Sequence, residues 1–308
     1  MDISVVIPAY NSAGTIGRLI ESLLNQTVLP AEIIIADGNS DDSTRSVCES
    51  FASSRVRFIT NPQGHETGTN RNLGVKAATC DHIIFLDSDC VADKNLISVY
   101  SIQLEKYDCI AGNVLILNPG EFSYKAYMSE RYLLNNHMID GFVTGVFFWV
   151  MNFGIRKDKL VDFPDTSYSE DMVFIEELFN TGIKVKYCKQ AVAYHTYPET
   201  ELDFFKKRLR TNKGFIMHKD RITDVAEGSY FFTILKLLEM DTAAIKGLLR
   251  EKKICFDPVR KVVFDGKANP LYHFQDLLII SAAVAVIESM GDSLDMSYEE
   301  LLSHYNGS

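Results

Sequence analysis

Four short apolar runs stand between Ile3 and Leu86, and they constrain the fold more than any other feature. Ile3–Ile7, Glu32–Ala36, Val56–Thr60 and Ile83–Leu86 each read as a strand bounded by polar residues. Helical patterns fill the gaps. Ile16, Leu19, Ile20, Leu23 and Leu24 make one apolar stripe, with Asn11 or Ser12 as its cap. The polar turn Asp37–Asp42 caps a second helix, and Arg71–Gly74 opens a third that ends near Thr79. Strand and helix in alternation predict a mostly parallel sheet with helices on both faces. Pro8 is expected to end the first strand.

Open sheets of this kind bind ligands beyond the carboxyl ends of their strands. Pro8 to Tyr10, Asp37 and the pair Asp87/Asp89 each follow a strand immediately, so three polar clusters should meet at one edge. Two unpaired carboxylates cannot be buried inside a strand, because desolvation costs several kcal/mol each. Placed at an edge, they suit a hard divalent cation with positions left for phosphate oxygens. Alone, the two aspartates read as turn formers; the convergence argues for a site. Asp37 can accept hydrogen bonds from a base or ribose, and Arg71 can fork onto phosphate or make a surface ion pair. No G-x-G-x-x-G follows the first strand and no Walker lysine loop is present.

The length of 308 residues suits one large domain or two modest ones. A formal net charge of -10 argues against a general nucleic-acid footprint. The six cysteines form no C-x-x-C pair, so neither a zinc knuckle nor a disulfide framework is suggested, and a reducing cytosol is the expected compartment. The first apolar run lacks a basic leader, so no signal peptide is expected. Phe142–Ile155 and Leu277–Ile287 fall short of the ~20 apolar residues that cross a bilayer.

In the second half, Cys109–Leu117 reads as a strand at a mixed sheet edge, and Glu121–Asn136 has helical spacing. Phe142–Ile155 reads as core strand, broken by Gly145 and Gly154. Ser169 can cap a helix that runs to Asn180, with Gly182 as its stop. Glu170 and Asp171 then lie in its first turn, where acids favour the helix dipole and Asp171 should stay ionised. Ile183–Cys188 and Val192–Tyr194 look like closing strands, with His195 directly after. Phe204–Gly214 is a basic amphipathic run, Tyr230–Leu249 has helical spacing, and Leu277–Met290 reads as a buried helix. Lys246, Arg250, Lys252, Lys253, Arg260, Lys261 and Lys267 make the intervening segment basic.

SVVIPAYN at Ser4–Asn11, IIIADGNSDDST at Ile33–Thr44, RNLG at Arg71–Gly74 and FLDSD at Phe85–Asp89 together resemble the family 2 glycosyltransferases of the GT-A fold, over most of residues 1–200. The resemblance implies an α/β, Rossmann-like catalytic domain over residues 1–215; it fades after Gly214, and the helical spacing beyond predicts a helical C-terminal appendage over 216–308. The resemblance puts Pro8, Ala9, Tyr10, Asp37, Arg71, Asp87 and Ser88 on the nucleotide sugar, and Asp89 on a divalent cation, Mn²⁺ or Mg²⁺, with His195 as a further ligand. It implies that Gly145 and Asn152 lie under the sugar and acceptor beside Glu170, and that Asp171, the second acid of its pair, is the base. Arg208 and Arg210 would close over the diphosphate. One departure is Ala36, where many relatives carry another acid.

The implied activity is a metal-dependent, inverting transfer. A UDP- or GDP-type sugar would be the donor, and a glycan, polysaccharide or lipid-linked hydroxyl the acceptor. The appendage would meet the acceptor, a second subunit or an anionic membrane surface, which places the protein in the cytoplasm or at the cytoplasmic membrane face. A nucleotidyltransferase would want a glycine-rich basic loop after the first strand, where Pro8-Ala9-Tyr10-Asn11 stands. A haloacid dehalogenase-type phosphatase would want Asp-x-Asp after that strand. A non-catalytic nucleotide-sugar binding or scaffold protein is the alternative from another class; the intact Asp87/Asp89 and Glu170/Asp171 argue against it.

Overall fold

The computed structural model describes residues 1–51, 53–124, 126–127, 138–139, 141–143, 150–166, 169–221, 230–251, 255–257, 261–263 and 273–306. These form two compact units, residues 1–118 with 132–196, and residues 119–131 with 197–308. The division falls at 196/197 rather than at 215/216.

The first unit is built on one mixed sheet. Its first four strands are β1 (Ser4–Ala9), β2 (Glu32–Asp37), β3 (Val56–Thr60) and β4 (His82–Leu86), ordered β3-β2-β1-β4 and all parallel. β1 and β2 are buried at every position, as runs without alternation require when both faces are covered. The covering helices include α1 (Ile16–Leu24), α2 (Thr44–Glu49), α3 (Thr67–Ala77) and α4 (Leu96–Gln103). Ile16, Leu19, Ile20 and Leu23 of α1 are buried in one core with Ile3, Val5 and Ile7.

Three local expectations are corrected. Pro8 does not end β1; it stays in register with Ala36. The carbonyls of Ile3 and Ala9 accept from Ala31 and Gly38 on the β2 side, so odd-numbered residues face β2 and Pro8 faces β4. The β1–β4 ladder covers only Ser4–Val6, so the missing proline N–H removes no ladder bond. Neither Asn11 nor Ser12 caps α1; Thr15 holds the cap position without a side-chain hydrogen bond, because the chain first makes a turn in which the Ser12 carbonyl accepts from Thr15 and Ile16. Arg71 lies in the middle of α3 rather than at its start.

Beyond β4 the sheet changes direction. β9 (Asn152–Arg156) runs antiparallel between β4 and β6 (Cys109–Ile116), and β10 (Val185–His195) lies parallel to β6 on its other side. β6 is therefore interior, not at an edge. The two expected closing strands are one strand, with a register shift between Cys188 and Val192. β7 (Met138–Ile139) and β8 (Phe142–Val143) extend this side, and β5 (Val91–Ala92) pairs antiparallel with β10. Helix α5 (Glu170–Asn180) packs its buried Val173, Phe174 and Leu178 inward and stops at Gly182, whose φ of 80° favours glycine.

The second unit contains α6 (Glu201–His218), α7 (Tyr230–Leu238), α8 (Thr242–Arg250), the hairpin β11–β12 (Cys255–Asp257 and Lys261–Val263), α9 (His273–Ser289) and α10 (Tyr298–Asn306). Residues Leu277–Ile287 of α9 are buried throughout. Asn212 of α6 donates to the Ser281 hydroxyl at 3.0 Å, which ties α6 to α9 and explains the earlier boundary. The expected basic character is partly offset, because Lys246 pairs with Asp292 at 2.9 Å and Arg250 pairs with Asp295. Among the described residues no helix is long and apolar enough to cross a membrane.

Candidate active site

The loops after β1 and β2 are laced together at the carboxyl edge of the sheet. The Asn11 amide donates to the Ser40 hydroxyl at 2.8 Å, and the Asp41 amide donates to the Asn11 side chain at 3.1 Å. Asn11 and Asn39 have φ of 49° and 62°, a region that asparagine tolerates better than most residues. Asp37 is buried, and its carboxylate accepts from the Ser40 amide and hydroxyl at 3.0 and 2.5 Å. It shapes this turn directly. Gly38 is required there, since a Cβ would stand 2.6 Å from the His65 backbone. Pro8 and Ala9 are buried, whereas Tyr10 is 45% exposed and stacks on His65 with ring centroids 4.7 Å apart. Of the first cluster, then, only Tyr10 presents a side chain outward.

The residues of the Asp-x-Asp element take three different partners. Asp87 accepts from Arg71 Nη2 at 2.9 Å. The Ser88 hydroxyl lies 2.8 Å from that of Ser12, tying this loop to the β1 loop. Asp89 reaches His195, with Oδ2 3.1 Å from Nε2. The β5–β10 pairing causes that meeting, because Val91 opposite Tyr194 carries the chain just before it alongside the end of β10. The two aspartates therefore point to different partners.

A divalent cation fits Asp89 and His195. Octahedral metals with ligands at about 2.1 Å hold adjacent donors about 3 Å apart, and these two atoms are already 3.1 Å apart. Among the described residues no group of three His, Cys, Asp or Glu side chains could hold a metal. The remaining positions would then go to water and donor oxygens.

The Arg71 fork is taken up by side chains of the protein itself. Arg71 is 3% exposed and bridges two carboxylates, donating through Nη1 to Glu170 at 2.7 Å and through Nη2 to Asp87. Burial alone would lower its pKa, but Asp87 and Glu170 raise it, so it stays charged. Glu170 is bound in this bridge at the start of α5. Ser169 has the cap position but a left-handed φ of 51°, and its side chain makes no capping bond. Asp171 follows. The expectation that the helix terminus keeps it ionised is corrected: burial and then the Glu170 carboxylate push its pKa up to about 7, against the lowering effect of Arg71 and the Met172 amide.

Asn152 lies in the core of the sheet. It is fully buried, accepts from the Tyr100 hydroxyl at 3.0 Å, and donates to the carbonyls of Asn113 and Ala191 at 3.0 and 2.9 Å. Gly145 lies outside the described residues. Arg208 and Arg210 sit on α6 of the second unit, where the Arg208 guanidinium lies 5.7 Å from the Phe204 ring. Sequence reasoning missed His65, Ser12 and Ser40. The Asn39-Ser40 pair after a strand was the available signal for the last.

Solved structures share this architecture. S. aureus TarS 1-349 in complex with UDP superposes with a TM-score of 0.53 at 17% identity, over 95% of this chain and 92% of that one. The fold is that of the GT-A glycosyltransferases. The family described as Glycosyl transferase family 2 matches residues 4–163, and the chain belongs to it. Among relatives, the O-antigen chain rhamnosyltransferase RfbN of Salmonella typhimurium is 27% identical over 68% of this chain and 71% of its own length. The UDP-Glc:alpha-D-GlcNAc-diphosphoundecaprenol beta-1,3-glucosyltransferase WfgD of Escherichia coli is 32% identical over 43% of this chain and 53% of its own length.

Proposed function

We propose that the protein is a metal-dependent, inverting glycosyltransferase that uses a nucleoside-diphosphate sugar and glycosylates a glycan or lipid-linked hydroxyl. The observation that carries this reading is the arrangement at the sheet edge, where Arg71 joins Asp87 of the Asp-x-Asp loop to Glu170, the neighbour of Asp171, and burial pushes the Asp171 carboxyl up to about 7. A general base works best with a pKa near the operating pH. Asp171 takes the acceptor proton as the acceptor oxygen bonds to the anomeric carbon. The bond from that carbon to the diphosphate breaks, and the diphosphate leaves with the electron pair on the opposite face.

Asp89 and His195 would hold Mn²⁺ or Mg²⁺, which would neutralise the charge growing on the leaving diphosphate. Tyr10 and the Asp37–Ser40 turn would receive the nucleoside. Asp87 would stay with Arg71 rather than join the cation. The diphosphoundecaprenol named for WfgD supports a lipid-linked acceptor, and with it work at a membrane face.

Thermal unfolding with UDP, GDP, TDP and CMP, each with and without Mn²⁺, tests the donor side. A ligand that binds only the folded state raises the midpoint by mass action. One nucleoside diphosphate should raise it in a manganese-dependent way. No rise with any of them would favour a scaffold role over catalysis.

A further inference from the structure

The first half of α3, Gly68 to Asn72, is bound to the approach of helix α5. Gly68 donates its amide to the Thr166 carbonyl at 3.1 Å, and a Cβ on it would collide with the Pro164 carbonyl. The Asn72 carboxamide holds the Phe163 backbone twice, donating to its carbonyl at 2.8 Å and accepting from its amide at 2.9 Å. The Phe163 ring then stacks on Phe174 of α5, with centroids 4.0 Å apart and planes 11° apart. The Arg71 guanidinium lies 5.2 Å from that same ring. One helix face thus fixes both the chain entering α5 and the first residue of α5.

We infer that Arg71 is a positioning residue of the transfer: its single guanidinium locks Glu170, beside the base, to Asp87, at the head of the Asp-x-Asp loop. This rests on Asp171 as the base. A strut needed only for folding could join any two carboxylates. This one joins the two motifs that must hold a fixed spacing for in-line attack, and displacement of a reacting group by 1 Å can cost ~100-fold in rate. The charges acting on Asp171 are Glu170 on its own helix, Arg71 on α3 and Asp87 after β4. Arg71 lowers the Asp171 pKa while Glu170 and Asp87 raise it, so the strut also sets the pH at which the base works.

The test uses transfer to water, read as nucleoside diphosphate released in a single turnover from the UDP- or GDP-sugar that stabilises the protein. Arg71→Lys keeps the charge, but one ammonium cannot reproduce a fork between two carboxylates. Its plateau rate should fall about 100-fold while the Kd for UDP or GDP with Mn²⁺ stays within about threefold. Glu170→Gln keeps an oxygen for Arg71 Nη1 and removes one negative charge beside Asp171. The acid limb of its pH–rate profile should move down by about one pH unit. An Arg71→Lys rate equal to wild type, or a rate loss matched by an equal loss of nucleotide affinity, would overturn the inference. If Arg71→Lys fails to fold, Glu170→Gln decides: a limb that stays put or moves up overturns it. Asp171→Asn separates the two levels. If it still turns over, the base assignment fails first; if it is inactive while the other variants behave as wild type, only the strut is lost.

Discussion

The two ends of the parallel strands bury carboxylates in opposite ways. At the amino end, Glu32 is surrounded by donors: the Ser4 hydroxyl at 2.8 Å, the Thr79 amide and hydroxyl at 2.6 and 2.7 Å, and Arg57. Burial works against its charge, but these bonds win and lower its pKa to about 2. At the carboxyl end, Asp87, Glu170 and Asp171 gather around Arg71, and Asp171 is raised to about 7. The first cluster stabilises the fold, since every charge there is answered. The second is left with excess negative charge, which a structural core would not tolerate and a site for a cation and a proton can use.

The largest way to break this contrast is Asp171→Asn. Transfer should fall by ~10³-fold, within the range for loss of a general base, while Mn²⁺-dependent stabilisation by UDP or GDP persists in a thermal shift assay. The next effect is on the metal arm. Asp89→Asn should remove the manganese dependence of that stabilisation, about 2 to 3 kcal/mol at a hundredfold excess of ligand over its Kd, and leave the unliganded midpoint nearly unchanged; His195→Ala should remove it too and also lower the unliganded midpoint, because His195 is buried.

At the opposite end, Glu32→Gln should destabilise the fold by about 2 to 3 kcal/mol at pH 7 by urea unfolding, a figure reduced for the half-exposed Arg57 partner. The sign with pH is fixed by a depressed folded-state value. The Glu32 contribution is full above its unfolded value near 4.5 and is lost as pH falls toward about 2. Asp171 has the reverse sign. The folded chain holds its proton more tightly than the unfolded chain does, so stability declines as pH rises from about 4 to about 7. Asp171→Asn should therefore raise stability at pH 8, by ~1 to 2 kcal/mol after allowance for its partial exposure, and change it little at pH 4.

The strands of the first unit were legible because parallel strands covered on both faces must be continuously apolar and must end where polar residues begin. Asp37, Asp87 and Asp89 were found at strand ends for the same reason. Partnerships were not legible, because they join residues distant in sequence. Nothing near Arg71 shows that Glu170, 99 positions on, will take its Nη1. Asn152 looked like a polar residue in a small-residue segment, yet β9 enters the sheet antiparallel between two other strands and carries it into the core. Ser12 looked like a helix cap, but its hydroxyl lies 2.8 Å from Ser88 and its carbonyl closes a turn. His195 was expected just after a strand and is instead the last residue of β10, opposite Ile116, and its approach to Asp89 needed the β5–β10 pairing.

The raised carboxyl at the crowded end is tested most directly by the single-turnover rate of donor cleavage against pH, from pH 5 to 9, with Mn²⁺ held saturating. If Asp171 is the base, the rate climbs tenfold per pH unit at low pH and levels off near pH 7. The limb vanishes in the residual activity of Asp171→Asn. A flat wild-type profile between pH 5 and 8, or a limb that persists unchanged in Asp171→Asn, would contradict it and assign the proton to another group.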